Sequence, residues 1–335
     1  MDLERLRRRW TEKSAETKAL PTRQISEHTE VPIDPWGEAG LMELIEKTRQ
    51  THWPQIEHSS TEVERKERIS TYLAALTALE VDTLTEAEKQ GRDTLPIKTF
   101  FGTEKIRSWT LLHPGYRDPK SQQQHLASAE WQHNVLRHLL QLSSDAKLAG
   151  FWRSYHRILM PQENSTALSD QTRLAAAERI YRAGIVSAFV LSRALQQPGW
   201  EVMPPPDAHD DVDNKIDLIV KTPEGIIFLV QLKTMDKDAS EDIVIQKVSL
   251  TAGTRDPEIY KFQNGVQAYL RRPENRHLNA IPIFAKINSH PPHIHAGIGT
   301  PTPQFAQAIQ GEFVRLLTKY TKGAKNSEPS SSFAH

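Results

Sequence analysis

The stretch KIDLIVKTPEGIIFLVQLK, residues 215–233, decides the fold of the second half of this chain. Two apolar, branched-residue runs flank Pro223, Glu224 and Gly225, a combination that fits a three-residue hairpin loop with glycine at its left-handed third position. That loop fixes the register, because pairing Thr222 with Ile226 places Asp217 directly opposite Gln231. Side chains alternate along a strand, so Lys233 points to the same face as Gln231. A carboxylate, an amide oxygen and an ammonium are thereby expected within about one cross-strand spacing, on strands that are otherwise largely apolar.

Working outward, WEVMP (200–204) and AIPIFAKIN (280–288) also read as strands. A long amphipathic helix is expected over 170–197, closed by Pro198 and Gly199. Asp256, Pro257 and Glu258 supply an N-cap, a first-turn proline and a first-turn acid for a second helix through Arg272. Residues 303–321 give a third, so the expected order is α, β, β, β, α, β, α.

Residues 1–160 carry helical periodicity and almost no strand signal. Leu41, Leu44 and Ile45, and Ile69, Leu73 and Leu76 within TEVERKERISTYLAALTALE, recur at helical spacing. Trp131, Leu136, Leu139, Leu140 and Leu142 mark a long helix leading toward Phe151 and Trp152. Pro32, Pro35, Pro54, Pro96, Pro114 and Pro119 are expected between helices, where no backbone donor is needed. The expected organisation is an all-α domain over 1–160, an α/β domain over 161–321 opening in the polar stretch PQENSTALS, and a disordered polar tail over 322–335. No internal repeat is evident.

The chain has 335 residues, with 42 basic and 42 acidic side chains, so no global charge bias announces a nucleic-acid or membrane partner. It has no cysteine, which removes disulfides, thiolate metal sites and cysteine nucleophiles together. The start, MDLERLRRRW, is not a secretory signal, and the apolar run Ile226–Val230 is far shorter than the ~20 residues that span a bilayer. A soluble, cytoplasmic protein without membrane attachment is expected. Phosphate-loop, dinucleotide and serine-hydrolase motifs are absent.

A metal gives the Asp217 cluster its reason. The Asp217 carboxylate, the Gln231 amide oxygen and the Leu232 backbone carbonyl are hard oxygen ligands that suit Mg²⁺ or Mn²⁺. Lys233 could orient an attacking water or steady developing charge. Glu178 borders the apolar stripe of its helix with Leu174, Ile185 and Phe189, so it needs a partner, either a metal or Arg182 at i+4.

A helix bearing Glu178, then strands carrying Asp217 and Gln231, Leu232, Lys233, then a helix, a strand and a helix, resembles the PD-(D/E)XK nuclease superfamily with its restriction-endonuclease-like fold. The resemblance covers roughly residues 170–320. It implies a mixed sheet flanked by helices, Mg²⁺ or Mn²⁺ bound at Asp217, Gln231 and Leu232, lysine-assisted hydrolysis at Lys233, and completion of the catalytic site by Glu178. It also implies cleavage of phosphodiesters, with DNA the expected substrate, leaving 5′-phosphate and 3′-hydroxyl ends. Ile216 stands where the family name has proline. Gln231 stands where an acid is usual, a variant also used by the end-cleaving endonucleases of Tn7-like transposons. The QxxxY motif of the exonuclease-type branch is missing, since neither Gln263 nor Gln267 precedes Tyr269 at the required interval.

The alternative reading is a catalytically weakened or inactive module of this fold that binds nucleic acid or protein in a larger complex for defence, mobile-element or effector work. Arg179, Arg182, Lys261, Arg271 and Arg272 are candidate phosphate contacts, beside a basic cluster at Arg5, Arg7, Arg8 and Arg9. The helical domain would recruit a target or protein partner, and a homodimer is compatible with the family. Asp207, His209, Asp210, Asp211 and Asp213 read as a solvated acidic loop, and His290, His293 and His295 as a surface loop with a weak zinc pattern.

Overall fold

A computed structural model describes residues 37–112, 122–160 and 168–326. The chain divides into two compact units, residues 1–182 with 272–277, and residues 183–271 with 278–335. The division falls inside a helix, not in the polar stretch 161–169. The basic start, the four prolines at 32, 35, 114 and 119, and residues 327–335 of the tail lie outside the described residues.

The first unit is helical, as the periodicity predicts: α1 (Glu38–Glu57), α2 (Glu62–Lys89), α3 (Leu95–Leu112), α4 (Gln122–Gln141), α5 (Asp145–Leu159) and the start of α6 (Leu168–Ala194). Thr61 caps α2 by accepting from the Glu64 N–H, and Glu64 reaches back to the Ser60 N–H at 2.7 Å. The single long helix expected toward Phe151 is two, because Ser144 caps a fresh start at Asp145. Pro54 lies inside α1, in its last turn, and Pro96 in the first turn of α3. At a first turn the missing proline donor leaves no helical bond unmade.

Leu41, Ile45, Ile69, Leu76, Phe101 and Phe151 fill the core of this unit. Inside it lies a buried ionic knot. The Glu104 carboxylate accepts from Arg49 at 2.5 Å, from Arg107 at 3.0 Å and from the Tyr72 hydroxyl at 2.8 Å, while the Arg107 guanidinium lies 4.1 Å from the Trp53 ring centre. One carboxylate takes three donors here, while Arg49 Nε and Arg107 Nε and Nη2 find no hydrogen-bond partner.

The second unit is α/β. It holds the end of α6, β1 (Glu201–Met203), α7 (Ala208–Val212), β2 (Leu218–Lys221), β3 (Ile227–Thr234), β4 (Ile243–Lys247), α8 (Pro257–Arg271), β5 (Ala280–Ile287) and α9 (Pro303–Asn326). The strands form one mixed sheet in the order β1-β2-β3-β5-β4, with β3 and β5 parallel and the other pairs antiparallel. The sheet, flanking helices and helical first half agree with the expected coarse layout.

Two elements depart from expectation. Strand β4 was not foreseen, and it holds the sheet edge by pairing with β5. The acidic segment read as a loop contains α7, capped by the Asp207 carboxylate accepting from the His209 N–H at 2.9 Å. The tail begins later than expected, since α9 continues through Asn326.

The hairpin register is as predicted. Leu218 pairs with Val230 and Lys221 with Ile227, and the Thr222 N–H donates to Ile226 O at 2.9 Å. Gly225 has φ +76°, the left-handed position the loop requires. One sheet face, through Ile219, Leu229 and Phe284, packs on Phe262, Val266 and Tyr269 of α8. The opposite face, through Phe228, meets Phe313 of α9 at 5.4 Å between ring centres.

No helix among the described residues is long and apolar enough to cross a membrane.

Candidate active site

Asp217 sits just before β2, and its N–H donates to Val230 O at 2.8 Å. Its Oδ2 accepts from the Leu232 N–H at 2.5 Å, extending the β2–β3 ladder by a side chain where the β2 backbone turns away. A strand residue points its N–H and C=O to the same neighbour. The Leu232 carbonyl therefore faces the edge where Asp217 lies.

Gln231, next after Val230 where the β2–β3 pairing ends, is 6% exposed, with its Oε1 lacking any donor. An unpartnered buried carbonyl oxygen costs free energy, about 1–3 kcal/mol for typical groups. A group that accepts no hydrogen bond in so enclosed a place is available to a cation.

Lys233, two residues on and on the same face, is held 3.5 Å from Glu258 in the first turn of α8. Its register partner on β5 is Lys286, so two ammonium groups border this corner of the sheet.

Asp211, on α7, is close enough to influence the Asp217 carboxyl. Desolvation pushes the Asp217 carboxyl well above the ordinary carboxylate range, and the Asp211 charge pushes it further; the Leu232 N–H and Lys233 oppose the shift. The Asp217 residue keeps some exposed surface, but its carboxyl group is enclosed by protein.

The turn that delivers Asp211 is stapled. The Lys215 N–H donates to Asp211 O at 3.1 Å, the Ile216 N–H to Asp210 O at 2.9 Å, and the Asn214 amide to the Asp210 carboxylate at 2.9 Å. Lys215, with φ +57°, reverses the chain into Asp217. Sequence reasoning read Asp211 as part of a solvated acidic segment because residues 207–213, five of the seven charged or histidine, carry no clear period.

The structure gives Glu178 protein partners: Arg182 at 3.4 Å and His156 at 3.9 Å. Arg182 in turn lies 5.1 Å from the Trp152 ring centre, so it is not a free cation waiting for phosphate. Arg179, Lys261 and Arg271 are exposed and Arg272 is half-buried. His293 pairs with Asp242 at 3.0 Å and packs on Phe305. Among the described residues no three or more His, Cys, Asp or Glu side chains gather as a cage, which leaves the histidine set without a zinc site. Gln263 and Gln267 tie α8 to the carbonyls of Ser249, Ala252 and Leu250, a structural task.

The donor types present, the Asp217 carboxylate and the buried Gln231 amide oxygen without a donor, are of the kind a hard divalent ion takes. No family model, no curated protein and no solved structure matches the chain.

Proposed function

We propose that the chain is a metal-dependent nuclease of the restriction-endonuclease-like class, hydrolysing phosphodiesters, with DNA as the expected substrate and 5′-phosphate products. One observation carries the reading: the donorless Gln231 Oε1 lies buried on β3 beside Leu232, whose N–H the Asp217 carboxylate accepts, with Lys233 the next residue along. The mixed sheet with a parallel β3–β5 pair and helices on both faces is the setting the resemblance implies.

Asp217 and Gln231 would hold Mg²⁺ or Mn²⁺ with the Leu232 carbonyl. The bound cation supplies Lewis-acid charge and acidifies a water. Lys233, positioned by Glu258, stabilises the charge that builds on the phosphate and orients the water. Arg179, Lys261, Arg271 and Arg272 are proposed to steer the strand, and the helical unit to recruit a target or protein partner.

The test is cleavage of plasmid DNA, single-stranded DNA and RNA by the full chain with Mg²⁺, Mn²⁺ or EDTA. Metal-dependent nicking, reduced ~10²- to 10³-fold by Lys233→Met, is the expected result. Identical traces with Mn²⁺ and EDTA would overturn it. The neutral Gln231 in place of an acid favours one second reading, a binding module with a weakened centre, which such traces would support.

A further inference from the structure

The corner of the sheet that carries Lys233 holds a second lysine. Lys286 pairs in register with Lys233 on the parallel strand β5, so both side chains leave the sheet on one face. We propose that Lys286 is a second phosphate-binding residue: together with Lys233 it holds one phosphodiester group of the DNA strand across the β3–β5 pair. The inference rests on the nuclease reading above for its substrate, and it names a residue to which that reading gives no part.

Like charges side by side on neighbouring strands repel, and they weaken the pairing unless an anion lies between them. Only one of the two ammonium groups has a carboxylate within ion-pair distance. Lys233 reaches Glu258 at 3.5 Å, whereas Lys286 forms no ion pair among the described residues. On its other side the register partner of Lys286 is Val244 of β4, which brings no charge. The Lys286 ammonium instead folds back along its own strand, 5.5 Å from the centre of the Phe284 ring. Phe284 is the register partner of Gln231, so this ammonium leans toward the row of the sheet that carries the candidate metal ligand. Lys286 is also half-buried, unlike a lysine on an open helix face. Neighbouring strands lie about 4.8 Å apart, close enough for two ammonium groups to reach the non-bridging oxygens of one phosphate. A phosphodiester bound there would relieve the repulsion and lie next to the proposed centre at once.

Fluorescence anisotropy of a short labelled DNA duplex with the full chain in EDTA tests this, since neither metal nor cleavage then enters. Over a salt series the parent is compared with Lys286→Gln, Lys286→Arg and Lys221→Gln. Lys221 pairs with Glu201 at 3.5 Å and stands by the start of β3, away from the end that Lys233 occupies. Lys286→Gln should weaken binding roughly tenfold at ~0.1 M salt and reduce the slope of log affinity against log salt by about 0.9, the mark of one lost phosphate contact on a duplex. A loss of packing alone would leave that slope unchanged. Lys286→Arg should restore affinity and slope, and Lys221→Gln should bind as the parent does. Without DNA, Lys286→Gln should melt at or above the parent, because a repulsion is relieved, which also shows that the variant folds. If Lys286→Gln keeps the parent's slope, or Lys221→Gln reduces it as much, the inference is wrong, and metal-dependent cleavage by the parent would leave the nuclease reading standing. A parent that binds no duplex at low salt overturns the inference, and takes the nuclease reading with it if plasmid, single-stranded DNA and RNA also stay uncut with Mn²⁺.

Discussion

Asp217 Oδ2 takes the Leu232 N–H at 2.5 Å, the bond that a further residue of β2 would otherwise have taken. The side chain thus closes the sheet and supplies the candidate metal ligand at once. Asp217→Ala leaves that N–H without its acceptor, a loss of about 1–3 kcal/mol, while Asp217→Asn keeps a carbonyl oxygen in place. Both variants should lose Mn²⁺ binding and cleavage, and thermal melts should place the alanine variant below the asparagine one. Equal melting temperatures would show that the hydrogen bond contributes nothing to stability.

The Asp217 proton also has a sign. Because desolvation raises this carboxyl above its usual range, the unfolded chain releases the proton first as pH climbs past ~4. Metal-free parent should therefore lose stability as pH rises from there toward the folded-state value. Denaturant melts across that range should show a smaller loss for Asp217→Asn.

Gln231→Glu restores a charged ligand in the same register. It should tighten Mn²⁺ binding and maintain or raise cleavage at low metal. In metal-free buffer it should destabilise the fold, since a carboxyl group is then buried where no donor reaches it. Calorimetry and melting with and without Mn²⁺ check both halves; a variant with weaker Mn²⁺ binding would remove Gln231 from the ligand set.

Gly265→Ala puts a methyl group against the Asn214 backbone, which cannot swing aside as a side-chain tip can. Overpacking of this kind costs about 1–3 kcal/mol or more. The variant should melt several degrees lower and bind Mn²⁺ more weakly, because the turn that leads into Asp217 must move. Unchanged Mn²⁺ affinity would mean that the turn's position does not matter to the centre.

His138 is buried in the helical unit between Phe100 and Phe151, and burial pulls its pKa down to about 4. The unfolded chain protonates near ~6.5, so stability present above that value is lost as pH falls toward 4, by about 3 kcal/mol in all. His138→Phe suits the aromatic surroundings and should flatten the fall between pH 7 and 5. A variant whose melting temperature drops with acid as steeply as the parent's would locate the acid sensitivity elsewhere.

What the sequence by itself determined is local in origin. The hairpin at Pro223–Gly225 and its register from Lys221 with Ile227 to Leu218 with Val230 follow from turn chemistry and the two-residue alternation of strands. The Asp256 cap of α8, accepting from the Glu258 N–H at 2.8 Å, is equally legible. Tertiary structure decided the rest, for a common reason: each case depends on partners distant in sequence or on a turn without periodicity. Strand β4 is an exception: it carries the branched run Ile243–Ile245, a local strand signal that was overlooked, and β5 supplies the edge on which it pairs. Glu178 found Arg182 and His156, an outcome that helical spacing could offer only as one of two. Asp211 became a neighbour of Asp217 because Gly265 lets the intervening turn lie against α8, a clearance that no pattern within residues 207–217 records.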